Sequence, residues 1–281
     1  MKFNKKIANH FLKRVSQDDL SELIRKFARA KHIRDMKMEL IDVDGVSFSV
    51  SPHRFWKQYR KSGWEPKTYE TFRRNLTDDI IYVDIGAYVG ITLMWARVLG
   101  TKKIYAVEAN PESYELLSYT VMQNQLLKSC VDLTNVCVTN KDAELVRFGR
   151  GLSSASRITK DGDYSVSTTT LSSYLNKNNL SENLFIKIDI EGAECLLMDD
   201  LVNVLKLGNK CFLALHPPFW EDKVASHDLI IESLKEFYLF NNEGKRLEIK
   251  ELSKMILSKD KYPAWGTSHG NFFEILVTPK N

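Results

Sequence analysis

From residue 80 onward, short unbroken apolar runs alternate with stretches in which apolar residues recur every three to four positions. The runs read as strands buried on both faces, and the stretches as helices with one face against a core. The series predicts strand 80–84, helix 88–99, strand 104–107, helix 111–126 and strand 134–139. Strand 184–190, helix 192–206, strand 211–216, helix 226–239 and a terminal pair near 246–250 and 271–278 follow. Pro111 after Asn110 marks a helix start, because a first-turn proline lacks only an N–H that would be unpaired anyway. This alternation specifies a doubly wound α/β fold with a mostly parallel sheet and right-handed crossovers. Residues 144–170 break the rhythm. There ELVRFGR and YSVSTTTL read as short extended pieces around GLSSASRITKDGD, an insertion over the sheet's active edge.

Upstream, WEPKTYETFRRNL reads as a helix and IDVDGVSFSV as a hairpin turning at Asp44 and Gly45. Residues 1–37 read as two amphipathic helices. Phe3, Ile7, Phe11 and Val15 recur every four residues, Ser16 offers an N-cap with Asp19 three residues on, and Leu20, Leu23, Ile24 and Phe27 continue the stripe. The expected division is an N-terminal helical and hairpin appendage over 1–50 and a main domain over 51–281.

Charge sharpens that division. The net charge of +4 hides 18 Lys/Arg against 9 Asp/Glu in residues 1–75, leaving the remainder acidic. A basic amphipathic segment suits a cap over the sheet edge, a homodimer contact or a peripheral membrane contact. With 43% hydrophobic residues the chain can bury a substantial core, yet no apolar run reaches the length of a spanning helix. The basic start has no continuous apolar segment of the secretory kind. Cys130, Cys137, Cys195 and Cys211 show no C-x-x-C spacing, so zinc is not expected and a reducing cytoplasm is the natural setting. Cys195 and Cys211 fall in apolar segments and read as buried thiols.

The chemistry begins at IIYVDIGAYVG, where a strand turns into a helix through Gly86 and Gly90. Glycines there let the backbone approach a ligand that a Cβ would obstruct. The next strand ends in Glu108, about twenty residues past the turn, the spacing at which such sheets offer a carboxylate to a ribose. A dinucleotide fingerprint would have a glycine where this chain has Asp84. A carboxylate there repels a pyrophosphate and attracts a cationic amine. S-adenosylmethionine fits, because it carries an ammonium, a sulfonium and a ribose diol but no phosphate. The expected cofactor cradle is Asp84, Gly86, Ala87, Gly90, Glu108, Ala109, Asn110 and Asp189.

VDIGAYVG, AVEANP, GLSSAS, TTTLSSYL and IKIDIEGAE, in this order, resemble the FkbM-type family of S-adenosylmethionine-dependent methyltransferases over roughly residues 64–220. The resemblance implies a class I methyltransferase, with a Rossmann-like sheet of seven strands. It also implies an enzyme acting mostly on hydroxyls of sugars, polyketides and related small or glycan molecules.

Three strand ends carry the remaining candidates: Asp84 and Glu108, then Asp189 and Glu191, then His216. Asp189 and Glu191 leave their strand on one side, and Lys187 shares that parity lower down, where a buried ammonium needs a carboxylate partner. His216 suits a general base, with an unperturbed pKa near 6.5 and Pro217 and Pro218 ending its strand. Asp189 is the second catalytic candidate, as rival base or as the group that orients His216. Ser153, Ser154, Lys187 and Glu191 are the expected substrate contacts, and Trp220, Phe219 and Trp265 could wall a sugar ring. A divalent metal on Asp189, Glu191 and His216 is chemically conceivable, but the expectation is a site without metal.

The leading reading is an O-methyltransferase acting on a sugar hydroxyl of a surface polysaccharide, lipopolysaccharide or similar glycan precursor. Methylation of a non-sugar metabolite is the first alternative. A nucleic-acid methyltransferase gripping phosphates with the basic N-terminal region is a second. Against it, the basic residues interleave with apolar helix positions and no Asn-Pro-Pro-Tyr motif occurs, so no nucleic-acid partner is expected. A cofactor-binding module without catalysis is the weakest reading.

Overall fold

The computed structural model describes residues 37–149, 157–162, 164–258 and 272–280. The helices expected over 1–37, apart from the last residue, and the candidates Ser153, Ser154 and Trp265 lie outside the described residues. The chain opens with the hairpin β1 (Glu39–Val43) and β2 (Val46–Val50), then α1 (Arg54–Ser62) and α2 (Pro66–Asn75). The first half of the sheet follows as β3 (Ile81–Ile85), α3 (Ile91–Val98), β4 (Lys103–Val107), α4 (Pro111–Gln123), α5 (Gln125–Lys128) and β5 (Val131–Thr134). The insertion supplies β6 (Cys137–Thr139), β7 (Leu145–Phe148) and β8 (Tyr164–Thr170). The second half is α6 (Leu171–Lys177), β9 (Leu184–Ile188), α7 (Met198–Lys206), β10 (Lys210–Leu215) and α8 (Lys223–Leu234). It closes with β11 (Tyr238–Asn241), β12 (Arg246–Leu247), α9 (Ile249–Leu257) and β13 (Phe273–Thr278).

The central sheet runs β12-β11-β13-β10-β9-β3-β4-β5. Strands β5, β4, β3, β9 and β10 are mutually parallel, and β13 inserts antiparallel beside β10. This is the doubly wound fold the alternation implied, with β12 as an eighth, two-residue edge strand beyond the seven expected. The order reverses between β3 and β9, and a ligand crevice belongs at such a point.

Three boundaries differ from expectation for identifiable reasons. The strand expected over 134–139 is two strands, because the chain leaves the main sheet at Thr134 and joins a small sheet of order β6-β8-β7 at Cys137. Helix 226–239 stops at Leu234, and Tyr238 begins β11. The terminal pair is also different. β12 pairs with β11, β11 with β13, and Ile249–Leu257 is a helix started by a capping box between Glu248 and Glu251.

Alternation along the strands builds a core on each face of the sheet. Val83, Ile85, Ile186, Ile188, Leu213 and Leu215 pack on one face with α7, α8 and α9. Tyr82, Ile104, Phe185 and Phe212 pack on the other with α2 and α3. The hairpin's Ile41, Val43, Phe48 and Val50 belong to this second core. Asn124 fixes it there, accepting from Ser49 N–H at 2.8 Å and donating to the Ser49 carbonyl at 2.7 Å. No helix among the described residues is long and apolar enough to cross a membrane.

Candidate active site

Strand register creates the first feature of the site. Asp84 on β3 lies directly beside Lys187 on β9, on the same face of the sheet. Lys187 Nζ reaches Asp84 Oδ1 at 3.2 Å, the Gly86 carbonyl at 3.1 Å and Asp189 Oδ2 at 3.4 Å. Burial opposes the charge, but the facing Asp84 and Asp189 carboxylates outweigh it and hold Lys187 above the ordinary lysine range. An ammonium has three donors and these three partners surround it, but Lys187 also lines the cavity, where a substrate contact was expected. Asp84, expected in the cofactor cradle, is not part of that lining. It is fully buried, its second oxygen accepts from Thr92, and its role is to hold Lys187 under the turn instead of meeting a ligand's amine.

Above this ion pair the chain turns at Gly86. Its φ of +90° is left-handed, and a Cβ there would stand 1.9 Å from the Asp189 carbonyl oxygen. Only glycine lets β3 and β9 close at this height. Gly90 starts α3 with φ +91°, and its missing Cβ would meet Leu117 Cδ1 at 2.4 Å. It lets α3 pack closely on α4 and, although expected in the cradle, is not part of the cavity lining.

Glu108, at the end of β4, accepts from Tyr88 N–H on one oxygen and from Asn110 N–H on the other, both at 2.7 Å. Burial lifts its carboxyl to about 7 against these two bonds. The carboxylate is thereby held rigidly at the cavity wall, with lone pairs left on both oxygens. Ala87 and Ala109 flank it on the same wall. Asn110, also expected in the cradle, is not part of the cavity lining. It is fully buried and caps α4, accepting from Glu112 and Ser113 N–H.

The neighbouring ends of β9 and β10 bring Asp189, Glu191 and His216 together, with one potential ligand atom from each within 4.8 Å of the others. His216 Nδ1 lies 2.6 Å from Glu194 Oε1, and Glu194 Oε2 accepts from Trp220 Nε1 at 2.9 Å. Gly192 N–H also donates to Glu194, which is fully buried. His216 Nε2 points toward Asp189 Oδ1 at 3.5 Å and Glu191 Oε2 at 3.6 Å. Burial pulls the imidazole pKa down, but Glu194, Glu191 and Asp189 together raise it to about 9. These carboxylates favour the imidazolium over the free base expected of His216. Glu191 is raised to about 7, chiefly by burial. Burial would raise Asp189 too, but Lys187 and His216 outweigh it and hold the carboxylate below its ordinary range.

These strand ends open on one cavity of about 420 Å³. Glu65 and Glu274, which sequence reasoning did not single out, also line it, making it rich in carboxyls, although burial raises the pKa of both. Phe219 stacks nearly parallel to His216 at 6.2 Å, and Phe272 lies 5.0 Å from the same ring. Trp220, expected as a sugar platform, is instead buried behind the site as the donor to Glu194. Glu194 was the principal omission. It sits within IEGAE, but its role depends on a partner 22 residues on, and no periodicity connects the two.

The family model described as the Methyltransferase FkbM domain matches residues 84–236. Among curated proteins, none matches the chain. Similar solved structures include a SAM-dependent O-methyltransferase from Thermotoga maritima, at 11% identity and TM-score 0.41, covering 86% of this chain and 78% of that one. A precorrin-6y C5,15-methyltransferase from Geobacter metallireducens matches at 14% identity and TM-score 0.42, over 78% and 90% of the two chains. A tRNA m1G37 methyltransferase from M. jannaschii matches at 11% and 0.41, over 88% and 56%. Likenesses of this size say nothing about what the present chain acts on.

Proposed function

The chain belongs to the FkbM methyltransferase domain family, and from that premise we propose that it transfers a methyl group from S-adenosylmethionine to a hydroxyl of a sugar or glycan precursor. The observation that carries this reading is that one acidic cavity joins the Gly86–Glu108 cradle to the Asp189–Glu191–His216 cluster. S-adenosylmethionine supplies an electrophilic methyl on a sulfonium, and its net positive charge suits the ionised Asp189 and the carboxyls of Glu108 and Glu191, which titrate at about 7. Glu108 accepts the ribose hydroxyls on the lone pairs its backbone bonds leave free. Gly86, Ala87 and Ala109 provide the close backbone approach.

The acceptor hydroxyl sits against Asp189, Glu191 and His216. Methyl transfer makes a carbon–oxygen bond, breaks the sulfonium–carbon bond and releases the hydroxyl proton. Glu191 takes that proton, since a carboxyl near 7 is matched to exchange it around neutrality. Asp189 stays ionised and orients the hydroxyl, while the His216 imidazolium stabilises the developing oxyanion. Phe219 and Phe272 give the carbon–hydrogen face of a sugar ring an apolar wall.

The test is a mass-spectrometric screen of nucleotide sugars, oligosaccharides and total RNA incubated with the enzyme and methyl-deuterated S-adenosylmethionine. The reading expects one labelled methyl on a sugar hydroxyl. Label on a nucleobase or on an amine would overturn it.

A further inference from the structure

We propose that Asp189, Glu191 and His216 form a binding site for one divalent cation of the magnesium or manganese class. The site lies where the acceptor hydroxyl is held, and a bound cation would displace the Nε2 proton and take the place of the His216 imidazolium. Its use in catalysis rests on the methyltransferase reading, but its occupancy does not.

The three side chains come from two adjacent strand ends, β9 and β10, and a left-handed bend at Glu191 with φ 54° turns that carboxylate back toward the other two. Hard divalent cations take carboxylate oxygens, and manganese also accepts an imidazole. Around a cation with bonds of about 2.1 Å, adjacent ligands stand roughly 3 Å apart. Asp189 Oδ1 and Glu191 Oε2 lie 3.5 and 3.6 Å from His216 Nε2, and one ligand atom from each of the three residues lies within 4.8 Å of the others, so side-chain rotation would close them on one ion.

The second observation lies outside the three ligands. His216 is only 6% exposed, yet its Nε2 faces the cavity and makes no hydrogen bond among the described residues. Its other nitrogen is fixed at 2.6 Å from Glu194, and that carboxylate is itself tied to Trp220 and to the Gly192 amide. A carboxylate behind a ligating histidine sets the ring's orientation and raises its basicity. Buried Glu194 and Trp220, with the Gly192 amide, thus hold the ring so that Nε2 is directed at two carboxylates. A structural histidine would need only the Nδ1 bond. Lys187 does not compete for the ion, because its charge is matched by Asp84 and it meets Asp189 through the opposite oxygen, Oδ2.

Titrating the purified full-length protein with Mn²⁺ and following the free-ion electron paramagnetic resonance signal tests the site without any turnover. One Mn²⁺ per chain is expected, with affinity weakened at least tenfold by His216→Ala and by Glu191→Gln. Glu194→Gln, which leaves all three ligands in place, should weaken it about 10–100-fold. Calorimetric titration with S-adenosylmethionine and circular dichroism on the same variants separate lost ligands from lost fold. No Mn²⁺ bound at about 1 mM, or binding untouched by His216→Ala and Glu191→Gln in folded protein, would overturn the proposal. Mn²⁺ bound by a protein that does not bind S-adenosylmethionine would preserve the site and sink the methyltransferase reading instead.

Discussion

Glu108 shows how one residue can be legible in place and hidden in behaviour. Its place after the second strand of the glycine turn marks it as a candidate ribose acceptor from sequence alone, and the structure puts it on the cavity wall. That its carboxyl is lifted to about 7 follows only from burial in the folded cavity. The sign of the consequence is fixed. The folded pKa lies above the ordinary carboxylate value, so the empty fold loses stability as pH rises toward 7. The ligand needs the ionised form to accept two hydroxyls. Affinity for S-adenosylmethionine should therefore climb between about pH 6 and 8, by up to about tenfold per unit below 7. Calorimetry across that range should find the climb in the wild type and a flat profile in Glu108→Gln; a flat wild type would contradict the assignment. Asp84 and Lys187 behave oppositely: the sequence marks both as candidates, and cross-strand register turns both inward onto each other. Gly86 is simpler. A Cβ at 1.9 Å from backbone at φ +90° cannot be relieved by a rotamer change. Gly86→Ala should lose more than about 2–3 kcal/mol in chemical denaturation, and near-wild-type stability would show that the turn is looser than this geometry.

At the scale of elements, periodicity recovered β3, β4, β9 and β10 to within about two residues, because strands buried on both faces leave an apolar run that no other element imitates. It failed where tertiary pairing decides. Tyr238–Asn241 continues an apolar segment from α8, and its assignment to a strand depends on β13, some 35 residues downstream. The break between β5 and β6 depends on Asn135, whose side chain ties the Glu108 and Ala109 carbonyls and turns the chain away from the main sheet. The hairpin was legible as a hairpin but not as core. Phe48 is fully buried among sheet residues, so Phe48→Ala should destabilise the whole domain by about 3–5 kcal/mol. A loss below about 1 kcal/mol in urea unfolding would mean that the hairpin is peripheral after all.

For the whole molecule, among the described residues the cavity draws its wall from β3, β4, β9, β10 and β13, from Glu65 just before α2 and from neighbouring segments, all beyond residue 50. Removing residues 1–36 should therefore leave S-adenosylmethionine binding within about twofold of the full chain, while changing oligomeric state or surface association. A truncated protein that no longer binds would show that the segment belongs to the core. The acidity of the cavity was only partly legible, because Glu65 and Glu274 lie 209 positions apart and converge only through the antiparallel entry of β13. That acidity leads to the central claim, a cradle for a cationic nucleoside instead of a dinucleotide. The most direct measurement is calorimetric titration of the wild type and Glu108→Ala with S-adenosylmethionine and with NAD⁺. One-to-one binding of S-adenosylmethionine, weakened at least about tenfold by Glu108→Ala, with no detectable binding of NAD⁺, is the expected result. Binding of NAD⁺ in place of S-adenosylmethionine, or equal S-adenosylmethionine affinity in the two proteins, would contradict it.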